Sequence, residues 1–139
     1  IDAMTSHLVR SPERFDVVVS TNMYGDILSN LAAEFSGGLG LAGSLNRGEG
    51  IAIAQASHGS APDIEGQGIA NPVALMRSAA MLLAWRAEQD ANNAMAAAAK
   101  ALDDGLDSLL QTPEACTTDL GGPLGTEAFG EAVAERVRG

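Results

Sequence analysis

The sequence predicts an α/β fold, in which short buried strands alternate with amphipathic helices. Three observations indicate this class: a β-branched apolar run at 15–19, apolar residues at helical spacing from 73 to 84, and glycine-rich connectors between such segments. The 139 residues fit one modest domain. The chain has no internal repeat and no low-complexity linker.

The first elements are predicted from residues 11 to 35. Phe15–Ser20 follows a Ser-Pro-Glu turn and is typical of a buried strand. A loop is expected at 21–25, and a helix at 26–35 because Ile27, Leu28, Leu31 and Phe35 recur at helical spacing. Asp26 would lie in the first turn, where a carboxylate stabilises the helix dipole.

The middle of the chain is rich in glycine. Residues 36–50 are expected to be mostly irregular, and Ile51–Ala54 to form a second short strand that leads into a loop at 55–71. Two strands make a poor sheet without further partners. We therefore expect the sequence, which begins at Ile1, to be part of a longer protein.

Three further helices are predicted after this loop. Asn71 is a good N-cap with Pro72 at the first helical position, and an apolar stripe of period 3.6 continues to Ala84. An alanine-rich helix is expected over 92–110. Residues 119–125 are predicted to be a loop, and Thr126 to begin and cap a last helix.

Composition narrows the range of partners and locations. The formal net charge of −10 disfavours binding to nucleic acid or to an anionic membrane. No apolar stretch approaches the roughly 18 residues of a membrane span. Cys116 is the only cysteine, which excludes an intrachain disulfide and suits a reducing cytoplasm.

Residues 38–43 match the letters of the dinucleotide fingerprint G-x-G-x-x-G. That fingerprint requires a strand before the first glycine and a helix after the last. Here a helix is predicted before Gly38 and none directly after Gly43. We therefore interpret the segment as a glycine-rich connector.

Two sets of polar residues could bind ligands. Asp26 and Asn30 lie one helical turn apart, and their oxygens suit Mg²⁺ or Mn²⁺, with Asp2 as a further donor. The alternative is an acidic residue that only stabilises a helix terminus. In the loop at 58–63, Asp63 could accept hydrogen bonds from a ribose diol, or could bond its own backbone in a turn. His58 could equally be a structural histidine.

Eight blocks of residues, spread in order along the whole chain, carry a resemblance to a known family. They are Asp2-Ala3-Met4, His7–Arg10, Phe15–Val19, Asn22–Ser29, Gly37–Leu41, His58–Ile64, Gly66–Pro72 and Gly121–Phe129. In these blocks the chain resembles the isocitrate/isopropylmalate dehydrogenase family, and most closely in its motifs the NAD-dependent 3-isopropylmalate dehydrogenases.

The resemblance implies an isopropylmalate dehydrogenase-like fold, of which this chain is the C-terminal portion. Full-length members are two-domain α/β proteins with a mixed sheet. Residues 1–139 would form a partial dehydrogenase domain, with a metal and dimer region at about 1–36 and the NAD loop with the C-terminal helices at about 37–139.

The implied activity is an NAD-dependent and divalent-metal-dependent oxidative decarboxylation of a 2-hydroxy acid. The expected cofactors are NAD and Mg²⁺ or Mn²⁺, and the expected assembly is a homodimer with a shared active site. Metal ligands would be Asp26, Asn30 and, from the neighbouring subunit, Asp2. The cofactor loop would comprise His58, Gly59, Ser60, Ala61, Asp63, Ile64 and Asn71. An acidic residue at Asp63 marks NAD in this family, whereas NADP-dependent relatives carry Lys-Tyr at 63 and 64.

Some positions depart from the family pattern. Asn30 stands where a second metal aspartate is usual in the family, and Gln55 where many isopropylmalate enzymes have a glutamate near the nicotinamide. The family's catalytic tyrosine and lysine and its substrate arginines lie upstream of the matched region, so no catalytic residue is assigned. The expected substrate is 3-isopropylmalate, of leucine biosynthesis. Alternatives are isocitrate, a tartrate- or malate-type acid, or an inactive chain that keeps only the NAD loop and dimer surfaces.

Overall fold

A computed structural model describes residues 1–138. The chain divides into two compact units, Ile1–Leu39 and a second that begins at Gly40. Within the described residues, the first unit is helical and the second combines a two-stranded antiparallel hairpin with three helices. No helix in this part of the chain has the length and apolar character needed to cross a membrane. The mixture of helix and sheet agrees with the predicted α/β class.

The first unit contains α1 (Asp2–Arg10) and α2 (Asn22–Phe35), which pack against each other. Leu8 of α1 and Leu28 of α2 are its most buried large side chains, at 7% and 6% exposure. The helix α1 was not predicted from the apolar pattern. A short 3₁₀ turn at Pro12–Arg14 follows it.

The predicted strand at Phe15–Ser20 is wrong. These residues form neither strand nor helix, and Val17 and Val19 are 79% and 92% exposed. Their β-branched side chains favour extended backbone, but a strand also needs a hydrogen-bonded neighbour. Within residues 1–138 the only ladder joins two other segments.

The predicted loop at 21–25 is also wrong, because α2 begins at Asn22. Thr21 is extended and serves as N-cap, and the Gly25 amide donates to its carbonyl at 2.8 Å, closing the first turn. Asp26 therefore lies beyond the first turn and cannot have the terminal role suggested for it.

The second unit begins with the hairpin β1 (Gly43–Arg47) and β2 (Ala52–Ala56). The strand β2 was predicted within two residues, whereas β1 falls in the segment 36–50 that was expected to be irregular. Gly43 pairs with Ala56 and Arg47 with Ala52. Glycine is weak in an isolated strand, but this strand is stabilised by its neighbour and by packing on a helix.

The hairpin packs on α3 (Val73–Asp90), α3 packs on α4 (Asn93–Leu110), and α4 packs on α5 (Thr126–Arg138). The predicted bond of Asn71 to the start of α3 is present, since Asn71 Oδ1 accepts from the Val73 amide at 3.0 Å. Pro72, predicted as the first helical residue, is instead the N-cap of a helix that begins at Val73. The helix runs past Ala84 and ends where Ala91 becomes left-handed, with φ of 49°. The start of α4 is also confirmed, because Asn92 Oδ1 accepts from the Ala94 amide at 3.0 Å.

A core cluster joins the three helices of the second unit. Phe129 and Leu106 are fully buried, and Val73, Leu109 and Val133 surround them. Val73 is the first residue of α3, so the core directly supports the end of the loop that precedes this helix.

On the surface of α4, the Asp104 carboxylate accepts hydrogen bonds from the Lys100 ammonium group, and this ion pair raises the pKa of the lysine.

Residues 38–43 connect a helix to a strand, which confirms their interpretation as a glycine-rich connector. The helix α2 ends at Phe35, a 3₁₀ turn covers Leu39–Leu41, and β1 starts at Gly43. The strand-before, helix-after order of a dinucleotide fingerprint is therefore reversed.

Candidate cofactor loop

The segment from Ser57 to Pro72 connects β2 to α3 and carries most of the predicted site. Its start is held to the hairpin by the Ser57 amide, which donates to the Ala42 carbonyl at 3.2 Å. Ala61 adopts a left-handed conformation, with φ of 45°, just before a 3₁₀ turn at Pro62–Ile64. A non-glycine residue rarely occupies this region, and such positions cluster where a ligand is held.

Six of the seven predicted cofactor residues surround one cavity of about 540 Å³. They are His58, Gly59, Ser60, Ala61, Ile64 and Asn71. A volume of this size lies within the roughly 300–1,000 Å³ typical of ligand pockets. The seventh, Asp63, lies in the turn between two of the lining residues but not in the wall itself.

The Asp63 side chain is free to meet a ligand. It is exposed, and its carboxylate has no hydrogen bond within the described residues. The turn is held instead by Gln67, whose Nε2 donates to the Asp63 main-chain carbonyl at 2.9 Å. The sequence also allowed a turn in which the Asp63 carboxylate bonds its own backbone. That hydrogen bond is absent from the described residues.

His58 is exposed rather than buried. Its Nδ1 lies 2.8 Å from the Gly59 carbonyl oxygen. Since a carbonyl can only accept, Nδ1 carries the proton, and in the neutral ring Nε2 is left as an acceptor. The exposed ring is open to a ligand through Nε2, while its bond to Gly59 is also one that a structural histidine would make, so both interpretations from the sequence stand.

Asn71 ends the loop and connects it to two other parts of the second unit. While its Oδ1 caps α3, its Nδ2 donates to Asp119 Oδ2 at 3.0 Å. Gly40 lies beside this pair, where an added Cβ would come within 3.3 Å of Asp119 Oδ2 and 3.4 Å of Asn71. Both Gly40 and Asp119 line the cavity.

The N-terminus of α5 also holds the loop. The Thr126 amide donates to the Gly68 carbonyl at 2.8 Å, and its hydroxyl donates to the Ala70 carbonyl at 2.5 Å. The prediction that Thr126 caps α5 with its side chain is wrong, because α5 begins at Thr126 itself and no amide among the described residues donates to its Oγ1. A cavity wall built from the loop, Gly40 and Asp119 was not visible in the sequence, which places these residues far apart.

The three predicted metal ligands lie in the first unit. Asp26 and Asn30 are exposed and one turn apart on α2. Asp2 opens α1, where its Oδ1 accepts from the Ala3 amide at 2.5 Å. Within residues 1–138, nowhere do three or more His, Cys, Asp or Glu side chains converge to hold a metal. The carboxylate and amide oxygens of Asp26 and Asn30 fit a hard divalent ion, but only as part of its ligand shell.

Comparison with known proteins identifies the family. Residues 1–133 match the family described as isocitrate/isopropylmalate dehydrogenase. The chain belongs to this family, which confirms the resemblance and the fold class inferred from the motifs. The solved structure of an isocitrate dehydrogenase from Methylococcus capsulatus superposes with a TM-score of 0.88 at 43% identity, covering 99% of this chain and 39% of that one.

Named relatives differ in substrate. The chain is 49% identical to an isocitrate/homoisocitrate dehydrogenase of Thermus thermophilus and 46% identical to a 3-isopropylmalate/3-methylmalate dehydrogenase of Methanocaldococcus jannaschii. Each match covers 99% of this chain and 39% of the relative. The isocitrate dehydrogenase of Rickettsia bellii, 44% identical, is named for NADP. The family is thus clear, while substrate and cofactor vary within it.

Proposed function

We propose that this chain supplies the NAD-binding loop and part of the metal site of an enzyme that oxidatively decarboxylates a 2-hydroxy acid. The observation that carries the proposal is the cavity around residues 58–71, which gathers six predicted cofactor residues in one wall. The substrate we propose is 3-isopropylmalate. Isocitrate or homoisocitrate is the second candidate, favoured by the 49% identity to the Thermus thermophilus enzyme.

The choice of NAD rests on Asp63. Asp63 lies in sequence between the cavity-lining residues Ala61 and Ile64, and its carboxylate is exposed and unbonded within the described residues, so it can accept hydrogen bonds from a ribose diol. The same charge would repel the 2′-phosphate of NADP. NAD would accept the hydride that leaves the hydroxyl-bearing carbon of the substrate.

The other loop residues would bind and orient this cofactor. Gly59 brings the backbone close to the ligand without a side chain in the way. His58, with Nδ1 directed to the Gly59 carbonyl, presents Nε2 as an acceptor. Asn71 is fixed through both polar atoms of its side chain, so the loop's far end keeps one orientation.

The metal site is proposed on Asp26 and Asn30, with Asp2 of a second copy completing it in a homodimer. A divalent ion there would polarise the substrate hydroxyl and stabilise the charge that develops as CO₂ leaves. The role of Asp26 and Asn30 is to hold that ion with two oxygens from one helix face.

The activity is tested with the whole protein that contains this chain. Formation of reduced nicotinamide would be followed with Mn²⁺, NAD and, in turn, 3-isopropylmalate, isocitrate and homoisocitrate. We expect turnover with 3-isopropylmalate above the other two. Turnover only with isocitrate or homoisocitrate would select the second candidate, and no turnover with any of the three acids would contradict the proposed activity.

The metal assignment predicts the effect of Asn30→Asp. A second carboxylate one turn from Asp26 should tighten Mn²⁺ binding about tenfold, since ligand charge sets the affinity for a hard ion. Binding would be measured from the Mn²⁺-induced broadening of resonances in α2. Asn93→Asp, which adds the same charge at the start of α4, is the control and should leave the affinity unchanged. An equal response of the two variants would place residue 30 outside the ligand shell.

A further inference from the structure

Ser78 of α3 is a fully buried polar side chain in the second unit. Its hydroxyl has three partners at hydrogen-bond distance: the Ser44 amide at 3.0 Å, and the carbonyls of Gln55 and Ala74, both at 2.7 Å. One side chain of α3 thus contacts the backbone of both strands of the hairpin.

The chemistry of a hydroxyl group determines which of these hydrogen bonds Ser78 accepts and which it can donate. Ser78 Oγ accepts from the Ser44 amide and has a single proton to donate to one of two carbonyls. The Ala74 carbonyl lies four residues back along α3 and also accepts the helical amide of Ser78, but each carbonyl oxygen has a second lone pair, so either carbonyl can accept this proton. The bond from the Ser44 amide is fixed in direction and joins Ser78 to β1 in either case.

This hydroxyl lies at one rung of the β ladder. Ser44 and Gln55 are register partners. Gly43, the next residue along, allows the close approach, because a Cβ there would lie 3.0 Å from the Ser78 amide nitrogen and from Arg77 Cβ. At this point the Ser78 side chain bonds the hairpin, and the hairpin backbone at Gly43 lies directly against α3.

The position of that rung relates it to the cofactor loop. Gln55 is followed by Ala56, the last residue of β2, and the loop starts at Ser57. The loop returns to α3 at Asn71, whose side chain caps that helix. One helix therefore holds both ends of the loop, through Ser78 at its start and through Asn71 at its end.

We propose that Ser78 is a positioning residue for the cofactor loop, acting through the backbone of Gln55 and Ser44. The inference rests on the proposed NAD-binding function of that loop. Ser78 itself does not line the cavity, so its effect on cofactor binding is transmitted through the start of the loop.

The first test needs no cofactor. Amide hydrogen exchange would be compared between the parent chain, Ser78→Ala and Ser108→Ala. Ser108 is the control because its hydroxyl also has a hydrogen bond, from Arg136 at 2.7 Å, but lies between α4 and α5. We expect Ser78→Ala to speed exchange about tenfold in residues 57–70, with α4 unchanged, since a lost buried hydrogen bond loosens what it held. Unchanged exchange in the loop, or equal acceleration throughout the second unit, would overturn the proposal.

The second test measures NAD affinity by calorimetric titration of the same three proteins. We expect about tenfold weaker binding for Ser78→Ala and none of this loss for Ser108→Ala. If Ser78→Ala does not fold, Ser78→Cys replaces it, because a thiol keeps the side-chain shape but donates weakly. A parent chain that binds no NAD would contradict the proposed function, and the exchange result would then decide the positioning role alone.

Discussion

Gly122→Ala is expected to destabilise the second unit by about 3 kcal/mol or more, the range of severe overpacking. A Cβ at Gly122 would lie 2.1 Å from the Cys116 carbonyl oxygen and 2.5 Å from its carbon. These are backbone atoms that cannot rotate away. The same carbonyl accepts from the Leu124 amide at 3.1 Å, so relief of the clash would break that bond.

The adjacent glycine provides a matched control. Gly121 has φ of 82° and open space around its Cβ position, so Gly121→Ala meets only backbone strain, roughly 1–2 kcal/mol. Urea unfolding followed by the fluorescence of Trp85, the single tryptophan and a buried one, gives the free energy of unfolding for each variant. A loss for Gly122→Ala no greater than for Gly121→Ala would contradict the packing described for this turn.

The same turn also affects the cavity lined by residues 58–71, at which we propose that the cofactor binds. Asp119 lies three residues before Gly122 and accepts the hydrogen bond from Asn71. A shift of the turn would separate this pair. We therefore expect the variant, where it remains folded, to lose cofactor affinity as well as stability.

The double substitution Asp63→Lys with Ile64→Tyr is expected to shift cofactor preference toward NADP by about a hundredfold. Charge reversal exchanges repulsion of the 2′-phosphate for a charge-assisted bond, and a phenol adds a further donor. The measurement is the ratio of Kd for NAD to Kd for NADP in parent and variant.

A charge change elsewhere on the chain separates this effect from long-range attraction. Glu88→Lys makes the same change in α3, roughly 22 Å along the helix from Val73 at 1.5 Å per residue. It should leave the ratio close to that of the parent. Equal shifts for both variants would mean that residue 63 does not meet the ribose.

The helices were predictable where their signals are local. The starts of α3 and α4 are predicted by Asn71, Pro72 and Asn92. The side chains of both asparagines accept bonds from amides only two residues ahead, so the signal is local. Thr126 marks the start of α5 correctly, yet its hydroxyl bonds Ala70, 56 residues away. A cap signal therefore predicted the boundary but not the partner of the side chain.

The strands were less predictable because pairing is not local. Val17 and Val19 have strong β propensity but no hydrogen-bonded neighbour within the described residues. Gly43–Arg47 has weak propensity yet forms β1, since β2 and α3 stabilise it. Propensity measures fit to a sheet surface, and only the fold decides whether that surface exists.

The residues of the candidate site also divide into those that local sequence signals predict and those that only tertiary contacts bring together. Its loop residues lie close together in sequence, so the motif identified them directly. Asp119, Gly40 and Ser78 reach the loop only through tertiary contacts, and no spacing rule connects them to it. The proposed metal ligands Asp26 and Asn30 are neighbours on one helix, and their ion-binding role stays a prediction.

The central claim, that residues 58–71 form an NAD-selective loop, is tested most directly by titrating the chain with NAD and with NADP while recording backbone amide resonances. We predict saturable shifts concentrated at 58–71 and at Asp119, with NAD binding more tightly than NADP. Shifts confined to other segments, or NADP binding as tightly as NAD, would contradict it.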